Sequence, residues 1–426
     1  MIHIVLHFVL FFLGLGMIKI FRPRRQSETA TIAWAYIAAY LARTATILLL
    51  HAFSHDGTLM LDDRGYDEQG HYLAHLFPWL STTNLADQLG TKHVAYPVIV
   101  GFVYFIGGHS ILSAKLLNAF FGALLSPVIY WLASELGSDD LGLPRRAAWM
   151  AALFPFDIAW SGLLLRDTIL EFLFTFLLAA TVATVRRRSY RFCGVVLVTL
   201  YVMNYFRFYA VFVWTGAIVL AAIAELARSR IGRQDLKRAW IGFFSLTAAG
   251  AVTLNLSLLW LVQQFDFVKS LALQVLGLGE GGDARPLSFA LSLGFAASFA
   301  RAVFVYIFGP FPWVFWGIDE PVNFIFYPGM YVIFALFPFF AVGFWSTVRN
   351  LEPMKIFLIS CFVLHGLIEI YVFQGAPRQR MMTDAVFILC AALAWPMRHN
   401  FARTIRFTYA ALILIAVGHT ILRNFG

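Results

Sequence analysis

Apolar residues in this chain neither alternate nor recur on one helical face; they run on. The runs cover 2–20, 31–53, 113–135, 147–164, 168–185, 191–206, 208–226, 239–262, 323–347, 356–373, 383–397 and 407–422. Crossing roughly 30 Å of hydrocarbon takes about 20 helical residues, and most of these runs approach that length. Barrel strands would be short and alternating, and these are not. The pattern predicts an all-α, polytopic membrane helix bundle of about 12 spans.

Two further apolar stretches fit that scheme poorly. Residues 94–106 are short for a span and are broken by Pro97, Gly101, Gly107 and Gly108. Residues 289–308 contain Arg301 and run into Gly309-Pro310-Phe311-Pro312-Trp313. If both lie on, or dip into, the outer leaflet, every later basic loop falls on one side of the membrane. The chain then reads as a single transmembrane domain, 1–426, with outer loops at 54–112 and 263–322. Neither a soluble domain nor an internal repeat is evident.

Composition agrees with this. A chain 60% hydrophobic and 13% charged is too apolar for a soluble domain. Its net charge of +9 sits mainly in short loops, such as Arg22-Pro23-Arg24-Arg25, Arg145-Arg146, Arg186-Arg187-Arg188 and Arg228–Arg238. That placement orients a membrane protein with its basic loops in the cytoplasm, so nucleic acid is not an expected partner. Both chain ends then face outside. Residues 2–20, lacking a basic leader, read as a retained span rather than a signal peptide. Cys193, Cys361 and Cys390 fall within spans and read as buried small hydrophobes.

Candidate chemistry concentrates in 54–93, a polar island carrying Asp56, Asp62, Asp63, Asp67, Glu68 and Asp87 between strongly apolar regions. Asp67, His71 and His75 share one helical face, with Glu68 and Tyr72 adjacent. Asp67 is the candidate general base, since a carboxylate in reach of an acceptor hydroxyl can take its proton. The same spacing suits a divalent metal; the plainer alternative is a polar helix packed on the membrane, and no cofactor is expected. Arg166-Asp167-Thr168, at a sharp outer turn, is either a salt bridge with a helix cap or a carboxylate and guanidinium presented to substrate. In GAPRQRMMTD, Arg378 and Arg380 are a candidate phosphate clamp, with anionic lipid headgroups as the alternative ligand. Lys115, Arg207 and Arg301 are further cations for that role. Asp157 and Glu171 also fall near the outer side, and Arg43 lies within a span without an evident partner.

The order of these motifs resembles a family. An outer loop with DEQGHY precedes the proline-containing AYPVIVGFVYFIGG; then come AKLLNAFFGALL, a basic turn, and a span ending at LLLRDT. This is similar to the GT-C glycosyltransferases, in particular the protein mannosyltransferase and lipid A aminoarabinose transferase branch, over roughly residues 30–215. The resemblance implies that Asp67 matches the first-loop catalytic aspartate, Glu68 its neighbour, Asp167 the second outer acidic residue and Pro97 the following proline. It also implies a polyprenyl-phosphate sugar donor, inversion at the anomeric carbon, and a bacterial cytoplasmic (inner) membrane protein with a periplasmic site. His71, Tyr72, His93 and Tyr96 become candidate sugar or acceptor contacts. Before Pro97 the chain reads Lys92-His93-Val94-Ala95-Tyr96, not the His-Pro-Pro or Glu-Lys-Pro-Pro of some branches, which leaves donor and acceptor open.

Such a donor would need a lipid-facing groove, a cationic phosphate site and a carboxylate near the sugar. The acceptor would be a glycan, a lipid or a protein. An O-antigen-type polymerase or ligase on a diphosphate carrier would instead rest on Arg378 and Arg380. A lipid-linked sugar transporter or flippase would place its charges in broken helices near the midplane. Sidedness can be checked directly. A cysteine introduced at Glu68 should react with a membrane-impermeant maleimide added to intact cells, and labelling only after permeabilisation would refute the predicted orientation.

Overall fold

A computed structural model of the chain describes residues 2–20, 26–54, 57–77, 94–137, 140, 142–207, 209–228, 303, 306–308, 322–349, 352–373 and 380–425. Among these the regular elements are helices, with no strand. In chain order they are α1 (Ile2–Met17), α2 (Gln26–Phe53), α3 (Leu61–Leu76), α4 (Ala95–Gly107), α5 (Ile111–Glu135), α6 (Leu143–Ala152) and α7 (Pro155–Ser161). They continue with α8 (Asp167–Arg187), α9 (Tyr190–Phe206), α10 (Tyr209–Arg228), α11 (Val322–Arg349), α12 (Pro353–Phe373), α13 (Met381–Ala394) and α14 (Ala402–Phe425).

Five helices among the described residues are long and apolar enough to cross a membrane: Glu28–Phe53, Ile111–Glu135, Asp167–Arg187, Phe326–Arg349 and Met381–His399. Helices α5 and α8 form the centre, 89% and 83% buried over their most apolar windows, whereas α11 is 33% buried and lies towards the periphery. One contiguous apolar core joins these elements. Two of its hydroxyls are satisfied locally: Thr181 and Thr184 donate to carbonyls four residues back, and Trp214 of α10 donates to Thr181 at 2.9 Å.

The run 147–164, expected as one span, is two short helices. Pro155 has no amide hydrogen and pushes the preceding Phe154 out of the helical region, to φ −72° and ψ 107°. Helix α6 therefore ends at Ala152 and α7 restarts at Pro155. The Arg43 guanidinium, fully buried, donates to the Ala152 carbonyl at 3.2 Å and to Ala39 at 3.3 Å. A carbonyl left over at the broken helix end thus has a cationic donor. Glycine permits a close approach at the restart: a Cβ on Gly329 of α11 would stand 2.8 Å from the backbone of Phe156.

The contacts order the bundle end to end. Glu28 of α2 accepts from Tyr130 and lies 3.7 Å from Arg145, and Glu135 of α5 pairs with Arg187 of α8. Arg186 donates to Glu352 at 2.5 Å, and Lys355 of α12 stands 2.7 Å from the same carboxylate. Helices α5, α8 and α12 run from this basic end to the other, where Lys115, Asp167 and Glu369 lie. Among the described residues, the loop charges Arg145, Arg186, Arg187 and Lys355 therefore occupy the opposite end of the bundle from Lys115, Asp167 and Glu369.

Helix α4 packs on α3 rather than standing as an independent element. The two meet through glycines, and a Cβ on Gly101 would come within 2.8 Å of Leu73 Cβ and 3.1 Å of the Gly70 carbonyl oxygen. Gly101→Leu should cost about 1–3 kcal/mol through overpacking, read as a lower thermal midpoint of the purified protein in detergent. An unchanged midpoint would show that α3 and α4 do not meet at this position.

Candidate functional site

Asp67 sits two turns into α3, where α4 turns back towards α5. Tyr104 donates to Asp67 Oδ1 at 2.6 Å, and His109 Nε2 stands 2.9 Å from the same oxygen. Among the described residues both contacts fall on Oδ1, so Oδ2 is not engaged by them, and the side chain keeps 14% of its exposure. Burial, followed by the hydrogen bond to Asp67, pushes the Tyr104 hydroxyl well above its usual range, so it remains a donor. Neighbouring rings extend the cluster: His71 lies 4.4 Å from His109 and 4.8 Å from His75, centroid to centroid. Glu68, His71 and Tyr72 are exposed. Among the described residues no three His, Cys, Asp or Glu side chains are gathered closely enough to hold a metal ion.

One turn earlier on α3, Asp63 ties the helix to the bundle. Its carboxylate is fully buried, 3.3 Å from Lys115 Nζ, and accepts from the amides of Leu59 (3.1 Å) and Leu164. Lys115 also donates to the Gly57 carbonyl at 2.8 Å. Burial pushes the Asp63 carboxyl up, and Lys115 with the two amides pulls it back. Beside it, Asn118 donates to the carbonyls of Leu163 (2.8 Å) and Leu165 (3.0 Å) and shares a hydrogen bond with Tyr96. The irregular turn before α8 is thus held by side chains of α3 and α5.

Asp167 opens α8 and is buried. Arg207, at the end of α9, lies 3.2 Å from both Asp167 Oδ1 and Glu369 Oε1 of α12. Tyr209 donates to Glu369 and accepts from Arg207 at 2.5 Å. His365 stands 3.3 Å from Glu369 and 3.0 Å from the Tyr306 hydroxyl, which reaches Thr383 at 3.3 Å. Arg380 pairs with Asp384 at 2.7 Å, donates to the Ile307 carbonyl, and stacks 4.6 Å over Phe156.

Of the six cations expected to meet a phosphate, Lys115, Arg207 and Arg380 each have an internal carboxylate partner instead. In a dehydrated interior an unpaired guanidinium or ammonium is costly, so a neighbouring acid takes the place an external anion would have. Arg166, half-buried, makes no ion pair among the described residues. Arg301, Arg378 and His93 lie outside the described residues. Tyr96, expected to meet sugar or acceptor, is buried on Asn118.

Sequence reading did not single out Tyr104, His109, Asn118, Tyr209, Tyr306, His365 or Glu369. His109 follows Gly107-Gly108 at the end of an apolar run, and Glu369 is an acid near the end of a predicted span; both were legible signals. Neither the protein-family models nor the curated proteins searched contain a match to this chain.

The Arg207 arrangement makes a stability prediction. Arg207→Ala leaves Asp167 and Glu369 buried against each other without their cation, which should cost about 3–5 kcal/mol. Thermal unfolding in detergent should show a clear fall in midpoint, and no change would mean the pair is not formed.

Proposed function

We propose that this chain is a membrane glycosyltransferase of the GT-C type, moving a sugar from a polyprenyl-phosphate donor to a hydroxyl of a glycan, lipid or protein acceptor. Asp67 carries the reading. It is a carboxylate at the end of the bundle opposite the basic loops, with Oδ1 contacted by Tyr104 and His109 and with Oδ2 not engaged by the described residues. A base fixed on one oxygen keeps the other in a set direction, which general-base catalysis requires.

In this proposal the acceptor hydroxyl gives its proton to Asp67 Oδ2 as its oxygen bonds to the anomeric carbon. The bond from that carbon to the phosphate oxygen breaks on the opposite face, and polyprenyl phosphate leaves with the electron pair. The configuration inverts. Arg166 is the described cation best suited to the departing phosphate, where a positive group that stabilises the negative charge developing in the transition state lowers the barrier. It comes two residues after Leu164, whose amide holds Asp63, and Asp67 lies one turn, about 6 Å, further along α3. Asp167 and Arg207 then act as positioning residues that hold the start of α8. The site would face the periplasm of a bacterial cytoplasmic membrane, following the positive-inside rule.

A second reading, a lipid-linked sugar transporter, draws on a different observation. The break between α6 and α7 is lined by the buried charge of Arg43, as broken helices are in many transporters. One experiment separates the two. In membranes supplied with a polyprenyl-phosphate sugar, Asp67→Asn should reduce sugar transfer by about 100-fold or more while the protein is present at normal level. Full transfer by the variant would remove Asp67 as base. Translocation of the lipid-linked sugar without any transfer, in wild type and variant alike, would favour the transporter.

A further inference from the structure

Beneath the Asp167–Arg207–Glu369 layer lies a second group of charges, from four helices. Asp157 comes from α7, Glu171 from α8, Arg43 from α2, and Asp384 with Arg380 from the start of α13. All are buried, from 0% to 2% exposed. Asp157 and Glu171 lie within hydrogen-bonding range of each other, and both carboxyls feel Arg43 and Asp384. Helix α11 brings Phe326 and Gly329 against α7.

Three observations set the chemistry. First, among the described residues of the cluster the acids outnumber the cations: Asp157, Glu171 and Asp384 against Arg43 and Arg380, three negative groups to two positive. Second, neither oxygen of Glu171 receives a hydrogen bond from a donor among the described residues, and Asp157 Oδ1 is in the same position. Third, Arg43 Nε and Nη2 have no acceptor among the described residues, although the guanidinium is fully buried and its Nη1 is spent on the carbonyls of Ala39 and Ala152. Two carboxylates in contact in a dry interior cannot both be ionised, because Coulomb repulsion and desolvation act in the same direction. A proton on one of them supplies the absent donor and brings the cluster to neutrality at once.

We propose that Asp157 and Glu171 form a proton-binding site that holds one proton between them at neutral pH. The site is independent of the sugar-transfer reading. It adjoins the polar chain through Asp384 and Arg380, since Thr383 donates to the Arg380 carbonyl at 3.1 Å and meets Tyr306, which leads through His365 to Glu369.

Infrared spectroscopy of the purified full-length protein tests this, since a protonated carboxylic acid absorbs apart from a carboxylate and shifts in heavy water. The wild type at neutral pH should show a protonated-acid band. The band should disappear in Asp157→Asn and in Glu171→Gln alike, because each isosteric amide donates to the remaining carboxylate and displaces the shared proton. Asp140→Asn, at the basic end, should leave it unchanged. A wild type with no such band at neutral pH would overturn the proposal, whether or not the variants fold. So would a band that survives both substitutions, or one that is absent in sodium and appears only when sodium is exchanged for choline, which would make the missing positive charge a metal ion.

Discussion

The cost of placing an ionised group where water cannot reach organises this protein. Lys115, Arg207 and Arg380 each lie at or below 2% exposure, and each stands within 3.3 Å of a carboxylate. None of these pairs is left as a bare contact. Asp63 takes two backbone amides besides Lys115, Arg207 binds a phenol as well as two acids, and Arg380 adds a carbonyl and an aromatic face. Such supplementary bonds help to offset desolvation, which an isolated buried pair does not recover. The more exposed pairs at the basic end, such as Arg186 with Glu352, contribute little to stability.

The same constraint governs the backbone. Irregular chain is tolerated inside a membrane bundle where protein groups satisfy it. Two of the breaks among the described helices follow this rule. Arg43 meets the carbonyl at the end of α6, while Asn118 and Asp63 meet two carbonyls and an amide in the turn before α8. That turn leads into Arg166 and Asp167, so the positions of the candidate site rest on two side chains many residues distant. Glycine plays the complementary part, letting α3 meet α4 and α11 meet α7 at backbone contact.

These features arrange the polar groups in depth. Of these three groups Asp67, with Tyr104 and His109, is the accessible one; in the buried Asp167–Arg207–Glu369 layer one guanidinium meets two acids; the Asp157–Glu171 pair lies deeper, beside Arg43, Asp384 and Arg380. In the proposed reading the first would do chemistry, the second would hold the framework, and the third would store a proton. Acids that look alike in the sequence are thus separated by solvent access and by partners.

The hydrophobic runs determined by themselves that the described chain is helical, with five helices long and apolar enough to cross a membrane, because the length of an apolar run against the thickness of hydrocarbon is a local property. The loop charges likewise foretold that Arg145, Arg186 and Lys355 share one end, and the polar island located Asp67. What only the tertiary structure decided was partnership. Arg207 meets a glutamate 162 residues later, and Asp63 an amide 101 residues away. No period or spacing encodes such contacts, since they depend on which helix faces pack. Lys115, Arg207 and Arg380, three of the cations expected to await a phosphate, were already claimed for that reason, and the run 147–164 proved divisible at Pro155, with Arg43 on a distant helix taking the Ala152 carbonyl.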